Sequence, residues 1–255
     1  MMLKITERCT MGCIHCLNDA KADGKDMDKK TFIDSLNFLK DNNIGRNLIL
    51  SGGEPTEHRD FDLIMEALID WCDKNQGYIS VLTITTNGES ICKDYKPFVF
   101  YRDTLSKFGT TLIYQISADT RYYPRRIETH KRIFREPGFV LCDNCVDYIY
   151  PIGRALDNGI PYFRLSSQCF NVRALSKQGF ETLESIEMVL LSRGKTCTPH
   201  IGIDGSIKLG ESDLCTKCAS IYDDPKQIVE KIQKFKCTKC DHINNNLPEK
   251  YKKFL

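Results

Sequence analysis

Cys9-Thr10-Met11-Gly12-Cys13-Ile14-His15-Cys16 sets three thiols in one short loop at CxxxCxxC spacing. Three thiolates are one short of the four that close a zinc or iron–sulfur site. A 4Fe–4S cube held by three cysteines keeps a free position on one iron, and a free position is where chemistry can occur. Taken alone, the loop leaves a structural zinc site or plain reduced thiols open as alternatives.

Outward from this loop, strand and helix signals alternate. Leu3 and Ile5 alternate with polar residues, so residues 2–7 read as a first strand. A helix follows with Asp28 as N-cap and Met27 and Phe32 placed for a hydrophobic staple. Its apolar face is Phe32, Ile33, Leu36 and Leu39. Asn47-Leu48-Ile49-Leu50 is a strand ending in Ser51-Gly52-Gly53-Glu54-Pro55, and a helix begins near Asp60. Residues 79–84 form a third strand, ending in Thr85-Thr86-Asn87-Gly88, and a helix covers about 95–108. Thr111 to Ser117 is a fourth strand running into Ala118-Asp119. A helix is expected over 124–135, with strands five and six at 146–151 and 162–166. Between those two lies Gly153-Arg154-Ala155. Six alternations predict a parallel sheet with crossover helices. Every flagged motif falls at the C-terminal end of a strand, the face where βα barrels carry their chemistry. The fold class expected is α/β: a partial (β/α)6 TIM-like barrel, open on one side, with a small C-terminal metal- or cluster-binding domain. The boundary is placed at 1–194 and 195–255.

Composition narrows the partners. Thirty-six basic against 34 acidic residues give a net charge of +2 without a long run of one sign, so nothing calls for nucleic acid. No apolar stretch approaches a membrane span, and the first residues do not resemble a signal peptide, so a cytoplasmic chain is expected. In such a chain 13 cysteines point to metal rather than disulfides.

The cysteine spacing together with Gly52-Gly53-Glu54-Pro55 resembles the signatures of the radical SAM (S-adenosylmethionine) superfamily. Thr86-Asn87-Gly88 is similar to the family's TNG segment, Ser117 and Asp119 to its S-x-D element, and Gly153-Arg154-Ala155 to a GRA segment. The resemblance implies a 4Fe–4S cluster on Cys9, Cys13 and Cys16. It implies a SAM pocket made by His15, Gly52, Gly53, Glu54, Pro55, Thr86, Asn87, Ser117, Asp119, Gly153 and Arg154. Glu54, or a neighbouring carbonyl, would hold the SAM ammonium, and the glycines would let backbone approach the ligand. Arg154 would pair with the SAM carboxylate or be a surface charge. No catalytic acid or base is assigned. The implied partners are an electron donor such as flavodoxin or ferredoxin, and a substrate.

In the tail, Cys215-x-x-Cys218 and Cys237-x-x-Cys240 give four thiolates in two pairs, a metal pattern that suits zinc or a second 4Fe–4S cluster. Cys197 with Ile203-Asp204-Gly205-Ser206-Ile207 resembles the start of a SPASM/twitch extension, and Cys197 is a possible further ligand. Cys142-x-x-Cys145 reads as a third pair, in the loop before strand five. Cys72 reads as a packed thiol, and His58 and His200 as surface or packed histidines. The tail resemblance implies a peptide or protein side chain as substrate. A small molecule is the second enzyme reading, and a non-catalytic zinc-binding interaction protein is the reading from another class.

Overall fold

The computed structural model describes residues 1–117, 136–142, 153–160, 181–192, 199–210 and 215–235. Its elements in chain order are β1 (Met2–Thr6), α1 (Lys29–Asp41), β2 (Asn47–Gly52), α2 (Phe61–Lys74), β3 (Val81–Thr86), α3 (Glu89–Lys93), α4 (Lys96–Lys107) and β4 (Thr111–Ser117). Then come β5 (Phe139–Cys142), α5 (Arg154–Asp157), α6 (Leu183–Ser192), β6 (His200–Ile201), β7 (Ser206–Lys208), β8 (Lys217–Ser220) and α7 (Pro225–Lys234).

The strands form one eight-stranded sheet in the order β5-β4-β3-β2-β1-β6-β7-β8. From β5 to β6 every neighbouring pair is parallel; β7 and β8 continue the sheet antiparallel. The sheet is open, so the α/β architecture is that of a partial barrel.

Alternation divides its two faces. Leu3, Ile5, Leu48, Leu50, Leu82, Ile84, Leu112, Tyr114 and Ile116 are buried in one core with Phe32, Leu36 and Leu39 of α1, Ile64, Met65 and Leu68 of α2, and Phe98 and Leu105 of α4. Toward the C-terminal ends of the strands the opposite face is polar. Lys4 is in register with Ser51, Thr85 with Gln115, and Ser117 with Cys142. Lys4 is buried there and the others are half-buried.

The local signals for α1 hold. The Asp28 carboxylate accepts from the Thr31 N–H at 2.8 Å and the Thr31 hydroxyl at 3.0 Å. Asp224 accepts from the Lys226 N–H at 3.0 Å, with Pro225 opening the helix. Met27 and Phe32 are both buried beside the Asp28 cap.

Two readings need correction. Strand three lies at Val81–Thr86, two residues later than expected, and so brings Thr86 into the sheet. Cys142 is the last residue of a strand, not part of a loop. β5 forms because Phe139 stacks on Tyr114 of β4, with ring centroids 4.9 Å apart and the two residues in register. β6, β7 and β8, from beyond residue 195, extend the main sheet, with Ile201 opposite Leu3 in the shared core.

The expected helix 124–135, the strands at 146–151 and 162–166, and Asp119, Cys145, Cys197, Cys237 and Cys240 lie outside the described residues. No helix among the described residues is long and apolar enough to cross a membrane.

Candidate active site

The cysteine loop leaves β1 and turns back along the end of β2. The Gly53 N–H donates to the Thr6 carbonyl at 2.8 Å and the Glu54 N–H to the Arg8 carbonyl at 2.7 Å. A Cβ at Gly52 would stand 2.1 Å from the Thr6 oxygen, and one at Gly53 would stand 2.2 Å from the Arg8 oxygen. The two glycines are therefore explained by the approach of chain to chain, which fastens the Gly-Gly-Glu-Pro segment to the base of the cysteine loop. Glu57, at the end of the 3-10 turn Pro55–Glu57, holds the loop from its other side. Its carboxylate accepts from the Thr10 N–H at 2.8 Å and the Thr10 hydroxyl at 2.9 Å. The sequence reading did not single out Glu57; a carboxylate three residues after Glu54 was the available signal.

Glu54 is buried. Oε1 accepts from the Thr56 N–H at 3.1 Å, the Thr56 hydroxyl at 2.7 Å and the Thr86 hydroxyl at 2.7 Å. Oε2 accepts from the Asn87 N–H at 2.5 Å. Burial pushes its pKa up, and these four donors, which stabilise the anion, push back. The carboxylate thus ties the end of β2 to the end of β3. Thr86 completes the turn by accepting from the Gly88 N–H at 3.0 Å. Asn87 accepts from the Glu89 N–H at 2.9 Å, while its buried Nδ2 has no hydrogen-bond partner among the described residues.

Cys13 is buried and Cys9 and Cys16 are half-buried. Burial pushes the Cys9 thiol up to about 11, with the charges of Glu54, Glu57 and Cys16 adding to the rise. Burial likewise takes Cys13 to about 12, Cys9 and Cys16 adding to it and the Arg154 guanidinium opposing it. Cys9 and Cys13, raised in this way, resist ionisation without a cation. Among the described residues no group of three His, Cys, Asp or Glu side chains is gathered tightly enough to hold one metal ion. A cube, whose irons sit apart, asks for thiols spaced more widely than a single ion does.

Gly153 and Arg154 reach the same loop from α5. Ser117 closes β4 beside Cys142, whose sulfur lies 3.5 Å from Gln115 Nε2. His15 is half-buried in the loop. At the far edge of the sheet, Cys218 lies within β8 and Cys215 just ahead of it. Cys72 is packed beside Thr110, and His58 and His200 are buried.

The first half of the chain, which carries the cysteine loop, the Gly-Gly-Glu-Pro turn and the Thr86-Asn87 turn, decides its affinity. Residues 3–102 match the Radical SAM superfamily. Over 92 residues the chain is 34% identical to the uncharacterized protein MJ0907 of Methanocaldococcus jannaschii, covering 36% of this chain and 31% of that protein. The chain thus spans about a third of that relative's length. The fold is similar to the crystal structure of BtrN in complex with AdoMet and 2-DOIA, with a TM-score of 0.56, 14% identity and coverage of 96% of this chain and 89% of that one. Native anSMEcpe with bound AdoMet and Cp18Cys peptide aligns at a TM-score of 0.38 and 11% identity over 95% of this chain and 81% of that one.

Proposed function

We propose that the chain is a radical SAM enzyme that binds a 4Fe–4S cluster through Cys9, Cys13 and Cys16 and abstracts hydrogen from a substrate carbon. The observation that carries this reading is the joining of three segments at one end of the parallel sheet. Glu54 and Glu57 hold the cysteine loop, the Gly-Gly-Glu-Pro turn and the Thr86-Asn87 turn against one another.

The residues present fit the group. Burial raises the Cys9 and Cys13 thiols, so a bound cation is what would ionise them. The orphaned Nδ2 of Asn87 leaves a buried donor for a polar ligand beside Glu54. His15, Gly52, Gly53, Pro55, Thr86, Asn87, Ser117, Asp119, Gly153 and Arg154 would surround SAM, with Glu54 acting through the turns it fastens. Bound there, the reduced cluster would supply the single electron that cleaves SAM to methionine and a 5′-deoxyadenosyl radical, which takes a hydrogen atom from substrate carbon. The protein's share is position and the exclusion of water. A flavodoxin or ferredoxin is the electron donor expected.

Anaerobic reconstitution followed by a 5′-deoxyadenosine assay tests this. Reduced, cluster-loaded protein should form the nucleoside, and Cys13→Ala should not. Equal product from both ends the proposal. A colourless protein holding zinc and no iron would favour the non-catalytic reading instead.

For the substrate we take a peptide or protein side chain, supported by the resemblance of the 195–255 extension to SPASM/twitch tails. Cys215, Cys218, Cys237 and Cys240, with Cys197 as a possible substitute, would hold an auxiliary 4Fe–4S cluster or zinc. About four iron atoms per chain means one cube and about eight means two. A small polar molecule is the second reading. It is favoured by the half-buried row of Ser51, Thr85, Gln115 and Ser117 on the face opposite the core, and the BtrN structure of similar fold holds 2-DOIA. A precursor-peptide gene beside this one would decide for the first.

A further inference from the structure

Gly153, Arg154 and Asn158 touch the cysteine loop at its third cysteine and the residues just after it, between Ile14 and Ala20. The Arg154 backbone N–H donates to the Cys16 carbonyl at 2.9 Å. Its Nη2 donates to the Ala20 carbonyl at 2.9 Å, and its Nε pairs with Asp19 at 3.4 Å. One turn on, Asn158 Nδ2 donates to the Ile14 carbonyl at 3.1 Å. Gly153 adopts φ +56°, and a Cβ there would stand 2.6 Å from the Cys16 oxygen and 2.7 Å from the Leu17 oxygen. The guanidinium also faces the cysteines: its Nη1 lies 4.0 Å from where a Cβ on Gly12, next to Cys13, would stand, and the side chain is only 22% exposed.

Those contacts do two separable things. The hydrogen bonds from α5 satisfy carbonyls on both sides of Cys16, and so fix the loop's path through the third cysteine. The guanidinium brings a permanent positive charge to a place where thiolates and a reduced cluster would accumulate negative charge. Net charge and hydrogen bonding at the sulfurs are levers on cluster potential, and a nearby cation favours the reduced form.

We propose that Arg154 is a positioning residue for the iron-binding loop. It holds Cys13–Cys16 in the ligating path, and its charge raises the reduction potential of the cluster bound there. This rests on the radical SAM reading above.

The test uses the full chain with Arg154→Gln, which removes the charge, and Arg154→Lys, which keeps it. Hydrogen exchange of the metal-free proteins reads the loop without any cluster. Arg154→Gln should speed exchange several-fold in peptides covering residues 13–20 and leave α1 and α2 unchanged. An EPR-monitored redox titration of the reconstituted proteins, without SAM, reads the charge. The Gln variant should titrate at a lower potential than wild type and the Lys variant close to it. Wild-type exchange in the Gln variant overturns the positioning role. Equal potentials in the Gln and wild-type proteins, or an equal drop in Lys and Gln, overturn the charge role. A wild-type chain that takes up no iron refutes the function proposed above, and the exchange arm still decides the positioning role.

Discussion

The Glu54 carboxylate accepts a 2.5 Å hydrogen bond from the backbone N–H of Asn87, 33 residues away in sequence. This bond, with the one from Thr86, makes a single buried carboxylate the fastening between two strand ends that present the site. Glu54→Gln replaces an acceptor-only group with an amide whose NH2 faces N–H donors. It should cost about 2 kcal/mol, the scale of an unsatisfied buried polar group. Denaturant unfolding of the metal-free protein measures this, and a change below about 0.5 kcal/mol would show that the fastening matters little.

Glu57 is nearer the surface, and its effect should fall on the loop rather than on the fold. Glu57→Ala frees the Thr10 N–H and hydroxyl. Stability should drop by about 1 kcal/mol or less, the net value of an exposed hydrogen bond. Iron retention during gel filtration under a mild chelator should drop clearly.

Gly53→Ala puts a methyl group 2.2 Å from the Arg8 oxygen, where backbone rather than a flexible side chain must yield. The strain should cost about 3 kcal/mol and displace the base of the cysteine loop. Thermal unfolding and iron per chain report the two effects.

Asp28 gives a pH dependence of known sign. Its bonds from the Thr31 N–H and hydroxyl hold the carboxyl below its ordinary value of 3.8. The folded pKa lies below the unfolded one. The stabilisation is therefore fully present above pH 3.8 and is lost as pH falls through the folded value. Asp28→Ala should cost about 1 kcal/mol at neutral pH, the usual worth of an N-cap. Asp28→Asn should keep most of the cap and lose the acid dependence, as read by denaturant unfolding between about pH 6 and about pH 3.

Much of this was legible in the chain. The cap at Asp28 and the apolar face of α1 depend on neighbours within one or two helical turns. Alternation in β1, β2 and β4 marks one face for the core. The paired signatures at Cys9–Cys16 and Gly52–Pro55 named the chemistry to expect. β5 was missed because its decisive partner, Tyr114, lies on another strand, and a four-residue run carries little pattern of its own. That the Cβ positions of Gly52 and Gly53 are filled by β1 and the chain just after it, and that Arg154 pairs with Asp19 and Ala20, are contacts between distant segments that no local pattern records.

By itself, the sequence determined the order of the first strands and helices, which of their residues are apolar inward, and that three thiols share one loop. Those features are written in short-range spacing, because backbone period and capping geometry act over a few residues. Only the tertiary structure decided that Glu54 answers to Thr86 and Asn87, that β6 lies against β1, and that Arg154 reaches the cysteine loop from 134 residues beyond Ala20. Such pairings require distant segments to be packed on one core before their polar groups can meet, and no local pattern records which of them will.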